Sequence, residues 1–120
     1  MSKKSKNEGV ITLVDKKLRS KTKCGDDGNL LFVKIEEDHP VKLTVVIENT
    51  GKFCEVDVLG NPVADGPVTI QVHAFAPPDS SGSGTFTLKE PGSYRLIWQC
   101  HSIESEKKRC AARIRVYQHL

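Results

Sequence analysis

No apolar run in these 120 residues approaches the roughly 20 that a helix needs to cross a bilayer. The N-terminus, Met1-Ser-Lys-Lys-Ser-Lys, also lacks the apolar core of a secretory leader. Its only early apolar stretch, Val10 to Val14, is short and broken by Thr12. The expectation is therefore a protein that stays in the cytosol. No two cysteines stand at the C-x-x-C spacing of a zinc ribbon or a thioredoxin-type site. His-x-His and His-Glu-x-x-His are missing, as are the glycine-rich phosphate loops; Gly82-Ser-Gly84 is too short and leads into a strand-like segment, not a helix. Helical patterning is missing too. The best candidate, Ser102 to Arg109, has no apolar stripe and reads as a charged hairpin loop. These absences leave no nucleophile–base pair, metal cluster or cofactor cradle, so the expectation is a non-enzyme with no catalytic residue, metal or cofactor.

What the chain does contain is alternation. Val41, Leu43, Val45 and Ile47 share one side of Val41 to Glu48, and Cys54, Val56 and Val58 share one side of Phe53 to Leu59. Val68, Ile70, Val72 and Ala74 repeat the pattern, as do Tyr94, Leu96, Trp98 and Cys100, and finally Cys110, Ala112, Ile114 and Val116. A period of two places each set on the buried face of a strand. Leu30 to Glu37 and Thr85 to Lys89 add weaker strands, and Val10 to Val14 fits an edge strand. Between them stand turn compositions: Gly25 to Asn29, His39-Pro40, Asn49-Thr-Gly51, Gly60-Asn-Pro62, Asp65-Gly-Pro67 and Pro91-Gly92. About seven to eight strands at this spacing predict an all-β fold, an antiparallel β-sandwich. Ala76 to Gly84, small and polar, reads as its longest loop, either a flexible connector or an exposed binding loop.

The remaining chemistry-bearing residues have structural readings. Cys54, Cys100 and Cys110 lie in apolar strands and are expected as buried thiols, with a disulfide as the alternative for a secreted protein. His39, His73, His101 and His119 are scattered. Cys100 and His101 with Cys110 across the hairpin form the one conceivable three-ligand metal set, and the packing reading is preferred. The acidic runs Asp26-Asp27 and Glu36-Glu37-Asp38, with Asp65, suit turns better than a calcium site.

Charge is uneven. Residues 1–23 carry Lys3, Lys4, Lys6, Lys16, Lys17, Arg19, Lys21 and Lys23 against Glu8 and Asp15. They read as a basic, flexible arm ahead of a sandwich domain over residues 24–120. Such an arm suits an anionic membrane surface, and without aromatics to stack on bases it suits nucleic acid poorly.

Gly84-Thr-Phe-Thr-Leu-Lys-Glu-Pro-Gly-Ser-Tyr-Arg-Leu-Ile-Trp98, with the Ser/Lys-rich stretch 102–108 and the alternating strand after it, resembles the GOLD (Golgi dynamics) domain. Many members of that family have Asp-Asn where this chain has Gln99-Cys100. The resemblance implies a GOLD-like or jelly-roll-like sandwich serving as a protein-interaction module, an adaptor in membrane trafficking. On the residues themselves, Pro91-Gly92 supplies a fixed φ followed by a position tolerant of positive φ. Tyr94 and Trp98 are expected in the core. Arg95, Arg113, Arg115 and Tyr117 fall on outer faces and are the expected partner contacts, since Arg and Tyr are enriched at interface hot spots. The alternatives are a peripheral membrane module using the basic arm and a structural subunit that self-associates through edge strands.

Overall fold

A computed structural model describes residues 9–19, 28–63, 70–102 and 110–120. Eight strands run in chain order: β1 (Val10–Arg19), β2 (Gly28–Ile35), β3 (Val41–Asn49), β4 (Cys54–Pro62), β5 (Val72–Ala76), β6 (Ser80–Leu88), β7 (Gly92–Ser102) and β8 (Ala111–His119). They form two four-stranded antiparallel sheets. The front sheet has the order β1-β8-β3-β6 and the back sheet β2-β7-β4-β5. The protein is an all-β sandwich, as the alternation predicts.

The core lies between the sheets. Leu43, Val45, Ile47, Ile114 and Val116 of the front sheet and Val56, Val58, Leu96 and Cys100 of the back sheet are wholly buried. Tyr94 and Trp98 join them, and the Tyr94 hydroxyl donates to the Glu90 carbonyl at 3.0 Å, so its polar end is satisfied inside an apolar site. Gly92 has φ 136°, the positive value expected after Pro91.

One end of the sandwich is clamped. Asn49, at the end of β3, is the one buried polar residue among those described. Its Nδ2 lies 2.8 Å from the Cys54 carbonyl, 3.0 Å from that of Pro77 and 3.2 Å from that of Ala76, so two N–H groups serve three acceptors. Its Oδ1 accepts from the Gly51 amide at 2.9 Å. Beside it, Cys54 and Cys110 form a buried disulfide with Cα atoms 5.6 Å apart. The expectation of thiols at these two positions is thus corrected. The sheets bring the start of β4 against the residue before β8, a closeness across 56 positions that local spacing does not reveal.

Boundaries differ from expectation in several places: Gly60-Asn61-Pro62, read as a turn, ends β4 paired with Leu96, Arg95 and Tyr94 of β7, and Gly28-Asn29, read as part of a turn, opens β2. Residues 10–19, counted with the basic arm, form β1, because all but Leu13, at a register shift, pair along β8 and Val14 enters the core. Ala76 to Gly84 is not one long loop: only Pro77 to Asp79 turn, and β6 starts at Ser80 and pairs along all of β3. A Cβ at Gly82 would stand 1.8 Å from the Phe75 carbonyl oxygen, so the small residues there let the backbones of β5 and β6 touch. Ile70 is exposed, not inward, since β5 begins at Val72, where its pairing with Gly60 ends. Glu36 to Asp38 form a tight turn closed by His39 N–H to the Glu36 carbonyl, with Asp38 at φ 62°.

Candidate functional sites on the two outer faces

The two sheets present unlike faces to solvent. Strand pairing places Arg113 directly between Lys17 of β1 and Glu48 of β3, and Arg115 between Asp15 and Val46. The ion pairs run diagonally across this ladder. Arg113 Nε and Nη2 donate to the two Asp15 oxygens at 2.9 Å each, and Arg115 Nη2 donates to Glu48 Oε2. The hydrogen bonds from Arg113, with its positive charge behind them, hold the Asp15 carboxyl below its ordinary value, and Asp15 in turn raises that of Arg113. Beyond them, Ser81, Ser83, Thr85 and Thr87 line the outer side of β6.

At the end of this sheet, where β1 and β3 stop and β8 starts, lies an open cleft of about 560 Å³. Among the described residues, Lys17, Arg19 and Arg113 supply its cations, Glu48 a carboxylate, and Leu18 and Ala112 part of its apolar lining. Among the described residues neither Lys17 nor Arg19 makes an ion pair.

The back sheet carries an apolar stripe among its polar and charged outward residues. Each of its strands sends one apolar side chain outward: Phe32 from β2, Ile97 from β7, Leu59 from β4 and Phe75 from β5. Ile97 and Leu59 pair directly, while Phe32 lies one row to one side and Phe75 one row to the other, giving a diagonal stripe. Phe32 is 59% and Phe75 42% exposed. Arg95 stands opposite Phe32, and Asp57 sits beneath the stripe with His73 Nε2 at 3.6 Å and His101 Nε2 at 4.0 Å from its two oxygens.

The four expected partner contacts therefore do not form one surface. Arg113, Arg115 and Tyr117 are neighbours on the front face, and Arg95 is on the back. Arg113 and Arg115 are also bound within their own sheet. Of the expected membrane residues, Lys16, Lys17 and Arg19 lie on β1, while Lys3, Lys4, Lys6, Lys21 and Lys23 fall outside the described residues. Lys16 is exposed although its register partner is the core residue Ile114. Cys100, His101 and Cys110 do not converge: Cys100 is buried, His101 is exposed on the outer face, and Cys110 is in the disulfide. Among the described residues no group of three metal-ligating side chains is found. The apolar stripe escaped sequence reading because Leu59, Phe75 and Ile97 each fall at an outward position of an otherwise ordinary strand. Only the pairing of all four strands aligns them with Phe32.

No family model matches this chain, and no curated protein does. Similar folds occur among solved structures. PliG of Aeromonas hydrophila, a periplasmic lysozyme inhibitor of g-type lysozyme, aligns with TM-score 0.55 at 12% identity, over 88% of this chain and 87% of that one. PirA aligns with TM-score 0.51 at 17% identity, over 91% and 96%. VP2 of infectious bursal disease virus, from a subviral particle, aligns with TM-score 0.55 at 14% identity, over 92% of this chain. This chain spans about a third of VP2, 32%. At identities this low the likeness is one of fold alone, and it extends across the whole sandwich.

Proposed function

We propose that this protein is a non-catalytic β-sandwich that binds a protein partner through the outer face of its back sheet. The observation that carries the reading is the stripe of Phe32, Ile97, Leu59 and Phe75, flanked by Arg95. Aromatic rings and an arginine beside partly buried aliphatics are the chemistry of interface hot spots, and a contiguous exposed apolar patch marks an interaction site. The names of the similar structures, an inhibitor of another protein and a protein of a viral particle, agree with binding or assembly. The finer reading of a trafficking adaptor rests on the GOLD resemblance of residues 84–117 alone.

Two further observations support parts of the reading. Among the described residues, the hydroxyl bonded to an imidazole, Thr44 Oγ1 at 2.7 Å from His119 Nε2, also bonds Thr85 Oγ1 at 2.9 Å and lies away from the cleft, which favours structure over catalysis. The buried disulfide favours an oxidising compartment over the cytosol.

The test is affinity purification from native cells with the wild type and with Phe32→Ala/Phe75→Ala. Both rings are exposed, so the double variant should melt as the wild type does. We expect it to lose its specific partner by about tenfold or more. An unchanged partner set would remove the back face from consideration. Recovery of a second copy of this chain, with a concentration-dependent dimer in sedimentation that the double variant abolishes, would make the protein a self-associating subunit.

A further inference from the structure

We propose that the cleft at the end of the front sheet is a second binding site, which takes an acidic peptide segment of a protein partner. It is independent of the aromatic stripe, being on the opposite sheet. Lys17 and Arg113 are paired directly across β1 and β8, and like charges so placed oppose the pairing of their strands. Arg19 follows two positions on, at the same outer side of β1. Arg113 is held by Asp15, but among the described residues nothing in the fold pairs Lys17 or Arg19. An incoming anion relieves the repulsion and bonds the groups that cause it.

Among the described residues the local carboxylates do not neutralise the cleft. Asp15 occupies Nε and Nη2 of Arg113 and so fixes the guanidinium while leaving its Nη1 edge for a second acceptor. Glu48 reaches into the cleft but is bonded by Arg115. Arg113 is thus held in one orientation before any ligand arrives, which lowers the entropic cost of binding. Behind the cations, Leu18 and Ala112 offer apolar contact to a ligand's methylenes. The Thr50 amide and hydroxyl both bond the Ala111 carbonyl, at 3.0 and 3.1 Å, and tie β3 to β8 at the rim.

These features select the ligand class. A volume of about 560 Å³ accommodates a few side chains of a peptide. Among the described residues no aromatic lines it, so they offer nothing on which a nucleic-acid base would stack. Glu48 inside the cleft disfavours a dianionic phosphate more than a singly charged carboxylate. The cleft is also concave, whereas a headgroup layer presents a plane.

The experiment is fluorescence anisotropy at low salt with labelled hexaglutamate, with hexaglutamine, duplex DNA and phosphatidylserine vesicles as competing probes. We expect saturable binding of hexaglutamate that weakens with salt, and no binding of hexaglutamine. Lys17→Glu and Arg19→Glu should each weaken it by about tenfold or more. Lys42→Glu, with the same change in charge on the same face but outside the cleft, should weaken it far less. Far-ultraviolet circular dichroism confirms that each variant is folded. Equal losses in Lys42→Glu and Lys17→Glu would overturn the proposal by showing attraction to net charge only. Failure to bind hexaglutamate, or tighter binding of DNA or vesicles, would also overturn it.

Discussion

Arg113 gives two N–H groups to Asp15 while facing Lys17 across one strand pair and Glu48 across the other. The residue types on this face are visible in the sequence, and Arg113 and Arg115 stand at outward positions there. Their diagonal pairing with Asp15 and Glu48 is not visible, because those partners lie 98 and 67 positions away. The pair has a pH signature. Asp15 titrates below its ordinary value of 3.8 in the folded protein, chiefly through its hydrogen bonds from Arg113. A carboxylate so shifted contributes stability above its unfolded value and loses that contribution as pH falls through the folded one. Asp15→Asn should therefore be less stable than the wild type at neutral pH, and the gap should close on acidification below 3.8. Urea denaturation in pH steps checks this. A gap that stays constant into acid would show that the carboxylate charge is not what stabilises the pair.

Strands β1 and β6, the two edges of the front sheet, were the elements least legible from composition. The lysines and arginine of β1 look like a solvated tail, yet alternate positions of the same segment, Val14 and Leu18, face β8 partners Val116 and Ala112. Lys16 lies between them by register with Ile114 and remains exposed, an inward-side charge that discourages another strand from docking on that edge. In β6 the run Ser80 to Gly84 has the composition of a flexible connector, and no hydrophobic alternation announces a strand until Phe86. Pairing with β3 imposes the extended backbone, and the contact with β5 then requires glycine at 82. Gly82→Ala should cost about 1–3 kcal/mol or more, because the new methyl meets backbone that cannot swing aside. Ser83→Ala, one residue on and exposed, should stay within about 0.5 kcal/mol of the wild type. Equilibrium denaturation of the two variants checks both, and equal effects would mean that β6 does not lie against β5.

Across the whole molecule, the disulfide and Asn49 join the sheets at one end. The Cys54–Cys110 bond closes a loop of 56 positions, and loop-closure entropy assigns such a crosslink about 4 kcal/mol, with measured values for native bridges of about 2–5 kcal/mol. Cys54→Ala/Cys110→Ala should lower stability within that range in non-reducing denaturant. Thiol titration of the unfolded chains, without reductant, should show the same number of reactive groups in wild type and double variant. Two additional thiols in the wild type would disprove the bond. The cleft rim begins at Ala111, the residue after Cys110, so the same bond also holds one wall of the proposed acidic-segment site in place.

The alternation of the chain by itself determined the all-β class, the core faces of β3, β4, β7 and β8, and the turn at Pro91-Gly92. Each is a local consequence of a two-residue period or of the φ preferences of one or two residues. Tertiary structure alone decided the disulfide, the course of β6, the diagonal ion pairs, the apolar stripe on one face and the cationic cleft on the other. All of these depend on which strands lie side by side and in what register. Pairing between distant segments sets that register, and a period of two says which side a residue faces but not which neighbour it meets.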